Sequence, residues 1–309
     1  MTKAPAGGAR PLVSVIIPHL NQPDFLRICL ESLAAQDWPA EQTEIIVVDN
    51  GSRAPPDLAA LGFPRVKLLT EATPGPGPAR NRGIAGSSGE LLAFIDADCR
   101  ADPGWLSAAV AGLSAPDSSG VVGGDVRIDV RDADRLTPLE AYESVFAYRQ
   151  KLYISRDGFS GTGNLAMRRE VHDKVGPFGG IHTAEDMDWG RRARAAGHPA
   201  LYRPDMIVYH PARTTIAELQ TKWRRHVAHS LVTHREQGGS DFAWALRSAM
   251  VLASALPHIG MMLTSPRLSG LGNRLRGAGV LIGIRAFRAR EMLRQRAGSA
   301  TAGSESWNR

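Results

Sequence analysis

Cysteine is nearly missing from this chain, with two thiols, Cys29 and Cys99, in 309 residues. Two are too few for a disulfide scaffold, and they lie in no metal-ligand spacing, so a reducing cytoplasm is the simplest setting. Also missing is a glycine fingerprint after the first apolar strand. Pro18-His19-Leu20-Asn21 stands where a dinucleotide enzyme needs G-x-G-x-x-G, which excludes that oxidoreductase class. Long uninterrupted hydrophobic runs are absent too. The longest apolar stretch, 242–263, is broken by Arg247, Pro257 and His258, so it has the length to cross a bilayer but a poor composition for it. Residues 1–11, MTKAPAGGARP, lack the apolar centre of a secretion signal and read as a disordered lead. The isoelectric point near 9.7 would suit a nucleic-acid binder, but no helix-turn-helix, RNA-recognition or zinc pattern accompanies the arginines, and nucleic acid is not expected as a partner.

What is present is an α/β pattern with enough apolar residues, 43 %, for a full core plus appendages. Strands and helices alternate through the first 125 residues, which predicts a mainly parallel sheet with right-handed crossovers. Val13-Ser14-Val15-Ile16-Ile17-Pro18 reads as a buried strand followed by a helix from about Pro23 to Ala35. Glu44 to Val48 is a second strand, ending in the polar turn Asp49-Asn50-Gly51-Ser52. Leu91 to Ile95 is a third, and it runs straight into Asp96-Ala97-Asp98. Ligands in open α/β sheets collect beyond the carboxyl ends of strands, where one or two carboxylates commonly hold Mg²⁺ or Mn²⁺ together with substrate phosphates. Asp49 falls at the same edge and suits a ribose or a base edge.

Three further segments supply chemistry. The loop Pro74-Gly75-Pro76-Gly77-Pro78 feeds Arg80, Asn81 and Arg82, and the planar guanidinium forks of Arg80 and Arg82 suit phosphate. Phe159 to Asn164 is glycine-rich, allowing close approach to the backbone. Thr183-Ala184-Glu185-Asp186 opens a helix that ends near Gly197, where the acids could serve only as helix-terminal charges.

Together, V-S-V-I-I-P-x-x-N, I-I-V-V-D-N-G-S, A-R-N-x-G, L-L-A-F-I-D-A-D, G-x-G-N, A-E-D-M-D-W-x-x-R and Tyr209-His210-Pro211, in that order over residues 12 to about 235, resemble the family 2 glycosyltransferases, enzymes of the GT-A fold. The resemblance implies an inverting transfer from a nucleotide-diphosphate sugar. It implies donor contacts from Pro18, Asn21, Asp49 (the base reader, hinting at uracil), Arg80, Asn81, Asp96 and Asp98, and a Mn²⁺ or Mg²⁺ ion on Asp96, Asp98 and His210, the histidine favouring Mn²⁺. It makes Asp186, with Glu185, the catalytic base. That base suits a hydroxyl on a glycan or lipid-linked acceptor, since a polyprenyl-phosphate acceptor is already ionised. A polyprenyl-phosphate sugar synthase and a non-catalytic sugar-nucleotide-binding relative stay open. A processive synthase is disfavoured, because Gln220-Thr221-Lys222-Trp223 only echoes its Q-x-x-R-W signature.

The catalytic domain is expected over 12–239, a basic amphipathic helical extension over 240–296 and a disordered tail over 297–309. Between Arg267 and Arg296 stand eight arginines and a single acid, Glu291, interleaved with apolar residues such as Leu271, Leu275, Ile284 and Phe287. Such a segment suits an anionic membrane surface, placing the protein peripherally on the inner face of the cell membrane, with packing on the catalytic domain and a true span as the alternatives.

Overall fold

The computed structural model describes residues 10–181 and 183–297, so most of the expected lead and tail lies outside the described residues. The chain runs β1 (Val13–His19), α1 (Pro23–Ala34), β2 (Thr43–Asp49), β3 (Lys67–Thr70), α2 (Pro76–Ala85), β4 (Leu91–Ile95), β5 (Arg100–Ala101) and α3 (Trp105–Leu113). Then follow β6 (Val121–Asp129), α4 (Pro138–Phe146), the short α5 (Gln150–Leu152), β7 (Asn164–Arg168), α6 (Arg169–Val175), α7 (Glu185–Ala195) and β8 (Leu201–Pro211). Four helices complete it: α8 (Ile216–Glu236), α9 (Asp241–Ala253), α10 (Ala255–Thr264) and α11 (Gly270–Ala297).

Two compact units result. The first comprises the chain up to Arg127 together with Tyr148–His210, and the second Ile128–Ala147 together with the chain from Pro211. In the sheet, ordered β3-β2-β1-β4-β7-β6-β8-β5, β1 pairs in parallel with β2 and β4, and β2 with β3. These are the near-continuous Val/Ile/Leu runs, which a parallel strand needs because helices cover both its faces. Alternation survives inside them: Val15, Ile17, Val47 and Ile95 pack with Leu26, Leu30 and Trp105, whereas Ile16, Leu92 and Phe94 pack with Leu165, Met167 and Trp189. The expected mainly parallel α/β sheet is present, and β7 adds an antiparallel side by pairing with both β4 and β6.

Asn164 holds that seam. It is fully buried; Trp105 Nε1 donates to its Oδ1 at 2.8 Å, and its Nδ2 donates to the carbonyls of Asp125 (2.8 Å) and Met206 (2.9 Å). Gly124 makes room for it, because a Cβ there would stand 2.3 Å from Asn164 Nδ2 and 2.1 Å from the Met206 oxygen.

The second unit is helical around Leu136, Leu139, Leu219, Met262, Leu281 and Ile284. The expected boundary at 239/240 lies within this unit, because α4 and α8 share its core with the C-terminal helices. The apolar stretch 242–263 forms two helices that meet at Ser254. α9 is tied along α11 by buried bonds, Trp244 Nε1 to the Met292 carbonyl (3.0 Å) and Ser248 Oγ to the Ala289 carbonyl (2.8 Å). The α11 arginines are less free than their sequence spacing implied. Arg274 donates to the carbonyls of Met262, Leu263 and Leu268, Arg288 lies 3.6 Å over the Trp223 ring, and Arg294 pairs with Glu291 at 2.6 Å.

Asn164→Ala would leave one indole N–H and two strand carbonyls buried without partners, each costing about 1–3 kcal/mol. The expected loss of unfolding free energy is about 3 kcal/mol or more, read from urea denaturation; a loss below 1 kcal/mol would show that water replaces the amide.

Candidate active site

Strand register brings the chemistry to one edge of the first unit. His19, at the end of β1, lies opposite Asp49 at the end of β2, while Ile16 of β1 pairs with Phe94 of β4 just before Asp96. The edge thus collects Asp49, Asp96 and Asp98 from strand ends, and α2 and α7 add Arg80 and Glu185.

Arg80 is the centre. Its side chain is 3 % exposed, Nη2 donates to Asp96 Oδ1 at 2.8 Å, and Nη1 donates to Glu185 Oε1 at 3.0 Å. Its fork therefore binds carboxylates, which corrects the expectation that it is open to phosphate. Arg82 is turned elsewhere, its Nε donating to the Thr70 carbonyl at 3.4 Å. Two glycines permit the arrangement. A Cβ at Gly163 would come within 2.6 Å of Asp96 Oδ2, and one at Gly77 within 1.9 Å of the Gly179 carbonyl, where α2 passes the loop leading to α7.

Beside this fork Asp98 faces His210, with Oδ2 and Nε2 3.4 Å apart. Tyr148 closes the other side: its hydroxyl lies 2.9 Å from His210 Nε2, its ring centroid 4.5 Å from the imidazole, and its backbone is left-handed, with φ 47°. Burial pushes the Asp96 carboxyl above its usual range; Arg80 opposes this and the Asp98 charge adds to it. Burial acts on Asp98 in the same sense, but the hydrogen bond and charge of His210 outweigh it and hold that carboxyl low. Asp186 is pushed up by burial and by the neighbouring Glu185 charge. Among the described residues no side chain caps α7; Glu185 and Asp186 stand in its first turn, where Asp186 Oδ1 accepts from the Met187 N–H at 2.7 Å.

The remaining expected residues have scaffold contacts. Asp49 is 2 % exposed, with His19 Nδ1 3.1 Å from its Oδ1 and the Ser52 N–H donating to its Oδ2 at 3.1 Å. Asn21, left-handed at φ 55°, accepts from the Arg53 N–H through Oδ1 at 2.9 Å and donates its own N–H to Ser52 Oγ at 2.8 Å. Pro18 lies in β1 opposite Val48. Asn81 clasps Phe178, donating to its carbonyl and accepting from its N–H, both at 2.9 Å, so its amide positions the loop before α7. His19 and Tyr148 were not legible in the sequence. Nor was Cys99: contrary to its isolated spacing, its Sγ joins donor atoms of Asp98 and His210 in a group spanning at most 4.8 Å.

A divalent cation fits this donor set. Asp96, Asp98, Glu185 and Asp186 bring four carboxylates to the edge, and Arg80 neutralises two of them. Asp98 is left with an imidazole nitrogen facing it, a mixed N/O pair that can ligate a divalent cation.

Residues 14–176 match the model of glycosyl transferase family 2. The chain belongs to that family. It is 35 % identical over 209 residues to the glycosyltransferase AglE of Haloferax volcanii, covering 66 % of this chain and 68 % of that one. It is 27 % identical over 271 residues to the pre-mycofactocin glycosyltransferase of Mycobacterium tuberculosis, covering 80 % of this chain and 54 % of that relative, about half its length. Among solved structures, the mannosyltransferase PcManGT from Pyrobaculum calidifontis, in complex with GDP-Man and Mn²⁺, superposes with a TM-score of 0.56 at 19 % identity, over 92 % of this chain and 86 % of that one. The fold is therefore GT-A, and this family 2 member is a transferase.

Replacing Arg80 by methionine would leave Asp96 and Glu185 without their shared cation. Breaking a buried pair costs about 3–5 kcal/mol, but these carboxylates are 39 % and 20 % exposed and water screens them, so the expected loss is about 1–3 kcal/mol. Arg80→Lys, with one point of charge, should recover only part of it in the same urea titration. An unchanged midpoint in Arg80→Met would show that the carboxylates are already solvated.

Proposed function

We propose that this protein moves one sugar from a nucleotide-diphosphate sugar, a UDP-sugar on the reading of Asp49, to a hydroxyl of a glycan or lipid-linked acceptor, with inversion and with help from a divalent cation. The observation that carries the reading is the position of Asp186. It is a half-buried carboxylate of raised proton affinity beside Glu185, whose own carboxylate is held by the fork that also holds Asp96. As the acceptor oxygen attacks the anomeric carbon opposite the departing diphosphate, Asp186 takes the hydroxyl proton. Arg80 keeps Asp96 and Glu185 apart and oriented. Asp98 and His210, with Asp96 beside them, would hold Mn²⁺ or Mg²⁺, which counters the charge growing on the leaving diphosphate. Asp49, fixed by His19 and Ser52, gives the base a rigid acceptor edge, and Asn21 and Asn81 brace the loops around the donor.

Asp186→Asn is expected to keep donor binding within a few-fold while transfer to a hydroxyl falls by roughly 10²–10⁴. The base must be unprotonated, so activity falls as pH drops through its pKa. Because that pKa is raised, the acid limb should lie above the ordinary aspartate value of about 3.9 and vanish in the amide variant. Screening UDP, GDP, dTDP and CMP donors with Mn²⁺, and again in excess EDTA, fixes the base and the metal requirement. Full transfer by Asp186→Asn would transfer the reading to a phosphate acceptor, which needs no base.

The second unit supports attachment to a membrane surface. Phe242 (79 % exposed), Leu246, Met250 and Leu256 (75 %) line the outer side of α9 and α10, and Leu271, Leu275, Ile282 and Leu293 stand exposed along α11. Asp241–Thr264 is long and apolar enough to cross a bilayer by length and composition. A span is disfavoured because α9 is fastened to the stretch of α11 that carries Arg285, Arg288 and Arg290, and charges at the bilayer centre are expensive. Lying in the interface keeps the apolar side chains in and the arginines out. This supports a peripheral protein on the inner face of the cell membrane.

Phe242→Glu/Leu256→Glu should abolish co-sedimentation with anionic vesicles while leaving the circular dichroism unchanged, since both positions are outside the core. Salt should weaken wild-type binding less than eight free arginines at about 1 kcal/mol each would imply. Equal pelleting of variant and wild type would remove this face from the interaction.

A further inference from the structure

Cys99 supplies a soft donor that family 2 transfer does not require. Its Sγ lies 3.7 Å from Asp98 Oδ1, and Asp98 Oδ2 lies 3.4 Å from His210 Nε2. One ligand atom from each of the three falls within 4.8 Å of the others. Zinc bonds of about 2.3 Å to sulfur and about 2.0–2.1 Å to nitrogen or oxygen, opened at the tetrahedral angle, put neighbouring donors about 3.4–3.6 Å apart. The 3.7 and 3.4 Å separations run to different Asp98 oxygens, and one atom from each residue lies within 4.8 Å of the others, so the three donors would close in by up to about 1 Å around such an ion. The group is built on adjacent residues of one strand end and a histidine from β8, which pairs with β5 directly after Cys99.

We propose that Asp98, Cys99 and His210 form a three-donor site for a thiophilic divalent cation of the zinc class, sharing Asp98 and His210 with the harder ion of the transfer reaction. The proposal rests on those two residues being metal ligands. Thiolate sulfur and imidazole nitrogen suit soft or borderline cations, and Mg²⁺ and Mn²⁺ take oxygen in preference. The two kinds of ion therefore exclude one another. Binding forms metal–sulfur and metal–nitrogen bonds; the Cys99 thiol proton goes to solvent, and so does the His210 proton where the imidazole is charged. The Tyr148 hydroxyl, now 2.9 Å from Nε2, must yield that nitrogen to the cation, which takes its lone pair.

Cobalt(II) is the probe, titrated into the chelator-treated full chain. The expected result is a sulfur-to-cobalt charge-transfer band in the near ultraviolet that saturates at one cobalt per chain. Cys99→Ser should lack the band and bind cobalt more weakly by more than the roughly 10–100-fold that losing an outer-shell partner costs. Cys29→Ser should keep the band, and Mn²⁺ should raise the cobalt midpoint in proportion to its concentration. No band in wild type, a band that survives Cys99→Ser, or indifference to Mn²⁺ would overturn the site. If Cys99→Ser does not fold, the wild-type band decides the question, with Cys29→Ser keeping it to exclude the other thiol. A cobalt band without Mn²⁺-supported transfer would instead count against the transfer reading alone.

Discussion

A single buried guanidinium sets the geometry of the catalytic edge. Arg80 comes from the second turn of α2, Asp96 from the end of β4 and Glu185 from the first turn of α7, so three elements that are distant in sequence meet through one planar fork. Removing a charge from water is unfavourable, and here two anions offset it at hydrogen-bonding distance. The same contact leaves Asp98, facing an imidazole, and Asp186 outside the fork. Charge balance thus divides the acids into two groups: those held by the protein, and those available to a ligand or a proton.

Much of this edge was legible in the sequence because it is local. Leu91 to Ile95 is strand along its whole expected length, since a five-residue apolar run bounded by a polar turn is too short for a buried helix and suits a buried strand. The helix expected from Glu185 to near Gly197 is present as Glu185–Ala195, and α1 ends one residue before the expected Ala35. What could not be read depends on register and on contacts across long separations. The His19–Asp49 pair exists because β1 and β2 align those residues. Tyr148 meets His210 across 62 positions, and Cys99 joins the same group only because β5 pairs with β8.

The C-terminal helices show the same limit differently. Composition predicted an amphipathic, basic region, and exposed apolar side chains do line it. Composition could not say which arginines were already engaged. Arg288, stacked on Trp223, is pushed by burial, and by the nearby Arg285, down to about 10, while Arg274 saturates the carbonyls where α10 ends. Nor could it say that α4, more than a hundred residues upstream, packs with α11 in one core.

Tyr148 carries a cost that bears on how this protein can change. A left-handed backbone costs a residue with a Cβ roughly 1–2 kcal/mol, and glycine would relieve it. Glycine would also delete the ring against His210 and the hydroxyl on its Nε2. At this position a gain in folding stability and the integrity of the histidine's surroundings therefore pull in opposite directions. A search for thermostable variants that scored only melting temperature would select against the residue the site needs, and one that scored only activity would keep the strain.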